Sequence, residues 1–156
     1  MRDKRFVAEH RGGPLKKAQH RQLMKWACEC AEHVLPLLDG KIDERLKHAL
    51  IVAKEWEKGN ASVGDARKGS VNAHAAAREA DNSVSIAVAR SVGHAVATAH
   101  MADHSLGAAL YALRAVQNAG GSIDEERKWQ IEQLSPEIRE LVLETIKQKE
   151  KSFKLG

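Results

Sequence analysis

The sequence predicts an all-α fold, a single-domain bundle of six or seven helices around a central alanine-rich helix. Three observations lead there. Apolar residues recur at spacings of three and four along most of the chain, the period of a helix with one buried face. Val-, Thr- and Tyr-rich alternating runs are missing, so no segment reads as a strand. Residues that cap helices stand between the periodic stretches. A chain of 156 residues is long enough to bury a core and suits one domain, here 1–156.

Taken in order, residues 1–14 read as an irregular segment closing on "RGGP". A first helix runs from about Lys16 to Leu38, with Leu23, Trp26, Ala27, Cys30 and Val34 on its apolar face; Pro36 kinks or ends it. Asp43 caps a second helix through Trp56, striped by Leu46, Leu50 and Ala53. Ser62 followed by Asp65 caps a third, "ARKGSVNAHAAARE", which breaks at Asp81-Asn82. A fourth begins near Ser83 and is apolar on almost every side, as the middle of a bundle requires. A kink or a new cap is expected at Asp103 to Gly107. Gly120-Gly121 ends that region, "SIDE" opens a short helix around Trp129, and Ser135 with Pro136 starts the last one.

Composition narrows the function classes. Net charge is +4, with basic residues spread along the chain and loose clusters only at its ends, "MRDKR" and "IKQKEKSFK". Neither cluster has the density or aromatic interleaving of a nucleic-acid surface. Lys147, Lys149, Lys151 and Lys154 suit the negative end of a helix dipole. Cys28 and Cys30 stand two apart, roughly 200° around a helix axis, so they neither bridge each other nor chelate one metal. They read as small core residues of a reducing compartment. No apolar run approaches membrane-spanning length and no signal-peptide core is present, so a cytoplasmic protein is expected.

One stretch carries chemistry. "GHAVATAHMADH", residues 93–104, sets His94, His100, Asp103 and His104 among small apolar residues. On a continuous helix His100 and His104 share a face, which reads Gly93, Ala97, His100, His104, Gly107, Tyr111, while His94 lies roughly 120° away. Asp103 is placed to hydrogen-bond a neighbouring imidazole or to cap the following segment. The functional reading is a site for zinc or another transition metal, with His74 as the best further ligand, or an acid–base pair. The zincin glutamate is absent, and two imidazoles are too few. The blander reading prevails: a polar seam that fixes register in an alanine-rich core, with no cofactor. No catalytic triad order, phosphate loop or zinc frame appears elsewhere.

Trp26 and Trp56 lie on apolar stripes and are expected in the core. Trp129 sits in the polar "EERKWQIEQ" and is a candidate interface anchor, with Glu125, Glu126 and Glu132 as an acidic contact surface around it.

Four stretches, "RFVAEHRGGPL", "WACECAEHVL", "GDARKGSVNAHAAARE" and "GHAVATAHMADHSLGAALYALRAV", together resemble a group of small bacterial immunity proteins. Their domain is related to the fifth immunity-protein family of polymorphic toxin systems. The resemblance runs from Arg5 to about Leu143, and the last stretch is its most distinctive part. It implies a cytoplasmic protein whose partner is a cognate bacterial toxin, and it assigns no catalytic residue. A homo-oligomer is compatible with it. Inhibitors of nucleases usually present acidic surfaces to a basic cleft, so the net basic charge argues against a strongly basic nuclease as that toxin. Otherwise a local acidic face, "EERKWQIEQLSPEIRELVLE", must outweigh the mean.

Overall fold

The computed structural model describes residues 3–155. Among them, seven α-helices follow one another: α1 Lys17–Val34, α2 Glu44–Glu57, α3 Val63–Glu79, α4 Ser83–Ala97, α5 His104–Asn118, α6 Ile123–Glu132 and α7 Pro136–Phe153. The caps are those the sequence announces. Asp43 accepts from Arg45 N at 2.8 Å. Ser62 and Asp65 exchange reciprocal bonds at 3.0 and 3.1 Å. Ser122 accepts from Glu125 N at 3.2 Å. Ser135 holds the N-cap position without a side-chain bond, and Pro136 opens α7. Pro36 ends α1 at Val34 and leaves a single 3₁₀ turn, Leu35–Leu37. After α5, Gly120 takes a left-handed φ of 86° that a residue with a Cβ resists.

The N-terminal segment holds no α-helix among its described residues. It is built of two 3₁₀ turns, Lys4–Phe6 and Glu9–Arg11, and a bridge between Ala8 and Leu15. Phe6, Ala8 and Leu15 are buried, so this segment is part of the core.

The central helix is α4, which packs against α1, α2, α3 and α5. Its neighbours come close because the contact residues are small: a Cβ added at Gly69 would lie 3.4 Å from Val96 and 3.5 Å from Ala49. Alanines interlock poorly, and buried polar side chains fix the register instead. Ser70 donates to Gly93 O at 3.0 Å, Ser91 to Ala108 O at 2.7 Å and Gln130 to Ala109 O at 3.0 Å. Each ties one helix to the backbone of the next.

The core has two main parts, and α1 is the wall between them. On one side Met24, Cys28 and Ala31 pack with the alanines of α2, α3 and α4. On the other, Leu23, Trp26 and Cys30 meet Phe6, Leu106, Ile138 and Val142. The divergence of the two cysteines is as expected, and burial pushes both thiols above their ordinary range. Trp26 is buried as expected, whereas Trp56 is half-buried and leans on His20, ring centroids 4.7 Å apart. Among the described residues no helix is long and apolar enough to cross a membrane.

Candidate functional site

The site grows out of the break between α4 and α5. The chain turns at Thr98–Asp103 and α5 restarts at His104 with Asp103 at its N-cap, within the expected Asp103–Gly107. A side chain of α1 caps the break. His20 Nε2 donates to the carbonyl of Thr98 at 2.6 Å, taking an acceptor that a continuing helix would have used. His20 is buried, and burial holds its pKa below the ordinary imidazole value.

This break corrects the expected histidine face. His100 lies in the turn and His104 at the first position of α5, so no single helix face carries Gly93, Ala97, His100, His104, Gly107 and Tyr111. The hairpin instead folds His94 onto His104, with Nδ1 atoms 3.1 Å apart. His94, placed by the continuous-helix reading on a different face, is the centre of the cluster. Its ring stacks on Tyr111 at 5.1 Å and meets His74 edge-on at 5.3 Å. His100 and His104 rings stand 5.3 Å apart. Asp103 occupies the N-cap of α5 but makes no side-chain capping bond, which corrects the cap expected of it. Its largely buried carboxylate lies 4.0 Å from Lys149 Nζ on α7.

Two glycines make room for the rings. A Cβ at Gly93 would stand 2.7 Å from Cε1 and Nε2 of His74, and one at Gly107 would stand 2.6 Å from His94 Nδ1. Arg90, four residues before His94 on α4, bonds His74 Nδ1 at 2.6 Å. A guanidinium only donates, so His74 Nδ1 accepts and the ring's hydrogen sits on Nε2. Sequence reasoning missed Arg90 because the α3–α4 register, which sets Arg90 against His74, is not written in either helix alone. At the far end, Tyr111 meets Phe153 of α7 at 4.8 Å, and Arg114 lies 3.9 Å over the Phe153 ring while donating to its carbonyl at 2.8 Å.

Burial, then the charge of Arg90, lowers His74 to about 4; burial, then His104, lowers His94 to about 3. Both rings are therefore neutral in the fold at neutral pH. The unfolded chain takes up these protons near pH 6.5, so between about pH 6.5 and 3 it binds more protons than the fold does. Stability is fully present above that window and falls as pH falls through it. The melting temperature at pH 4.5 is expected below that at pH 7.5, with a shallower slope in His94→Gln. Equal slopes in the two proteins would show that His94 does not contribute.

As a ligand set the cluster is incomplete. Among the described residues no group of three or more His, Cys, Asp or Glu side chains is placed to hold a metal ion. His74, His94 and His104 form a connected row, His100 adjoins it through His104, and Asp103 approaches Lys149.

The second candidate surface, on α6, is also rearranged. Trp129 is half-buried, stacked flat on His33 with centroids 3.5 Å apart and planes 6° from parallel. Glu126 turns inward, 9% exposed, and its carboxylate bonds His33 Nδ1 at 2.6 Å. That removes Glu126 from the acidic face expected of it; only Glu125 and Glu132 remain exposed there. The missed partner is His33, whose position late in α1 gives no hint that α6 crosses over it.

A family model described as "Imm-5 like putative immunity protein" matches residues 13–137, from the end of the N-terminal segment to the first turn of α7. No curated protein and no solved structure matches the chain. The match spans all of α1 to α6, the helices that build the central packing and the histidine row, and the chain therefore belongs to the Imm-5 like family.

Proposed function

We propose that this protein neutralises a bacterial toxin by binding it in the cytoplasm, within a polymorphic toxin system. The single observation that carries this reading is the family match over residues 13–137. An inhibitor of this kind needs a stable scaffold and a complementary surface, and it needs no reaction centre. A tightly packed alanine-rich bundle suits that task, because a surface held on rigid helices loses little freedom when it docks.

Affinity capture of the tagged protein from its native host, with the toxin locus expressed, tests the reading. One stoichiometric partner is expected, arresting growth when produced alone and harmless when the two are produced together. Absence of such a partner overturns it. The rival is a metal-binding bundle, and metal analysis of untagged protein decides that point. Stoichiometric zinc, iron or manganese, lost in His100→Ala/His104→Ala, would replace the binding reading with a metal-dependent one.

A further inference from the structure

We propose that the toxin docks on the basic, imidazole-lined face formed by α3, α4 and α5, and that it does so with an acidic, carboxylate-bearing surface of its own; this rests on the toxin-binding reading above. The net charge of the chain is modest, but its arginines fall into two kinds. Arg5, Arg45 and Arg127 are each held by two carboxylates. Among the described residues the other seven have no carboxylate within 4.0 Å: Arg11, Arg21 and Arg139 stand on the N-terminal segment, α1 and α7, and four are on α3, α4 and α5, namely Arg67, Arg78, Arg90 and Arg114.

Those four converge. Arg67, Val71, His74 and Arg78 are spaced four, three and four apart on α3 and so form one stripe. Arg90 joins that stripe from α4 through its bond to His74, and the row continues through His94 to Tyr111 and Arg114 on α5. The carboxylates nearby have other partners: Glu79 pairs with Arg45 on α2, Glu150 with Arg127 and Asp103 with Lys149, while Asp65 and Asp81, at the two ends of α3, accept from Ser62 N and Asn82. The cations that reach His74 and His94 are Arg78, Arg90 and Lys149, of which Lys149 also approaches Asp103.

Apolar surface is interleaved with the charge. Val71, 63% exposed, lies inside the arginine stripe, and Ile86, 39% exposed, stands one turn before Arg90. Arginine and aromatic anchors around exposed aliphatic groups are the composition of protein-binding hot spots. Two of the guanidiniums are already positioned, Arg90 by His74 and Arg114 by Phe153, so little ordering remains for the encounter. The same geometry disfavours a nucleic acid. Tyr111 is occupied by His94 on its face and by Phe153 edge-on, which leaves no open ring for a base to stack on.

The test compares two charge reversals, Arg67→Glu/Arg78→Glu on α3 and Glu125→Lys/Glu132→Lys on α6, all at exposed positions. The probes are the toxin captured on wild-type protein and, separately, a short DNA oligonucleotide. The α3 reversal is expected to weaken toxin binding on the order of a hundredfold and to abolish growth protection, with the melting temperature unchanged. The α6 reversal is expected to bind within a few-fold of wild type. Undiminished binding by a folded α3 variant overturns the proposal and leaves the toxin reading standing. Loss confined to the α6 variant does the same, as does tight oligonucleotide binding that competes with the toxin. If wild type captures no toxin, the immunity reading fails first and takes this proposal with it.

Discussion

Trp26→Ala is expected to lower the unfolding free energy by about 3–5 kcal/mol, the largest effect of any single replacement discussed for this protein. The indole is 2% exposed and packs with residues from α1, α5, α7 and the N-terminal segment. Its Nε1–H donates to the backbone carbonyl of Gln130 at 2.8 Å, tying α1 to α6. Truncation removes the apolar contact and the tie to α6, leaving that carbonyl the single N–H of Gln133 at 3.2 Å. Trp26 also lines a cavity of about 300 Å³ with Leu113, Ile131, Val142, Ile146 and the charged Arg127, Lys147 and Glu150, so truncation enlarges a space already present. A urea titration measures the loss. Trp26→Phe, which keeps a ring and gives up the hydrogen bond, should recover more than half of it. A loss under about 1 kcal/mol in the alanine variant would mean that α7 and the N-terminal segment refill the site.

The second large effect has an unusual sign. Glycine to alanine inside a helix ordinarily stabilises by about 0.5–1 kcal/mol, because glycine loses more backbone freedom on folding. Gly64→Ala, where the nearest atom to a new Cβ is Ser62 Oγ at 3.6 Å, should show that gain. Gly93→Ala and Gly107→Ala should each show a loss of roughly 1–3 kcal/mol instead. At Gly93 the methyl group meets the His74 ring, which Arg90 holds in place. At Gly107 it meets His94, itself wedged between His104 and Tyr111. Because His74 and His94 touch, the double variant should depart from the sum of the two singles. Denaturant midpoints for the four variants decide the matter. If Gly93→Ala and Gly107→Ala are as stable as wild type, the rings turn aside freely and the row is not a fixed structure.

The element order was legible because local chemistry determines it. Asp43, Ser62 and Ser122 cap where a side-chain oxygen can reach a backbone N–H two or three residues ahead, and such bonds depend on nothing distant. The histidine site was only half legible. Spacing identified its members, but the i, i+4 pairing of His100 with His104 assumed a continuous helix, and the carbonyl freed at Thr98 is met by His20, more than seventy residues earlier in the chain. The same holds on α6: the sequence of "EERKWQIEQ" shows charge around Trp129, while burial of Glu126 and the stacking of Trp129 depend on His33. Arginines present the sharpest case. Counted along the chain they look scattered, and only the packing of the helices distinguishes those paired with carboxylates, such as Arg45 with Glu79 of α3, from those without, such as Arg90 against His74.

The opposite placement of Cys28 and Cys30 has a consequence for how unfolding of this molecule can be followed. Two thiols separated by one residue sit in different halves of the core, and neither is ionised while its half stays closed. An alkylating reagent reaches Cys28 when the α2, α3 and α4 side opens, and Cys30 when the α7 and N-terminal side opens. The chain thus carries two chemical clocks on one helix, and their order of labelling tells whether the halves come apart together or in sequence.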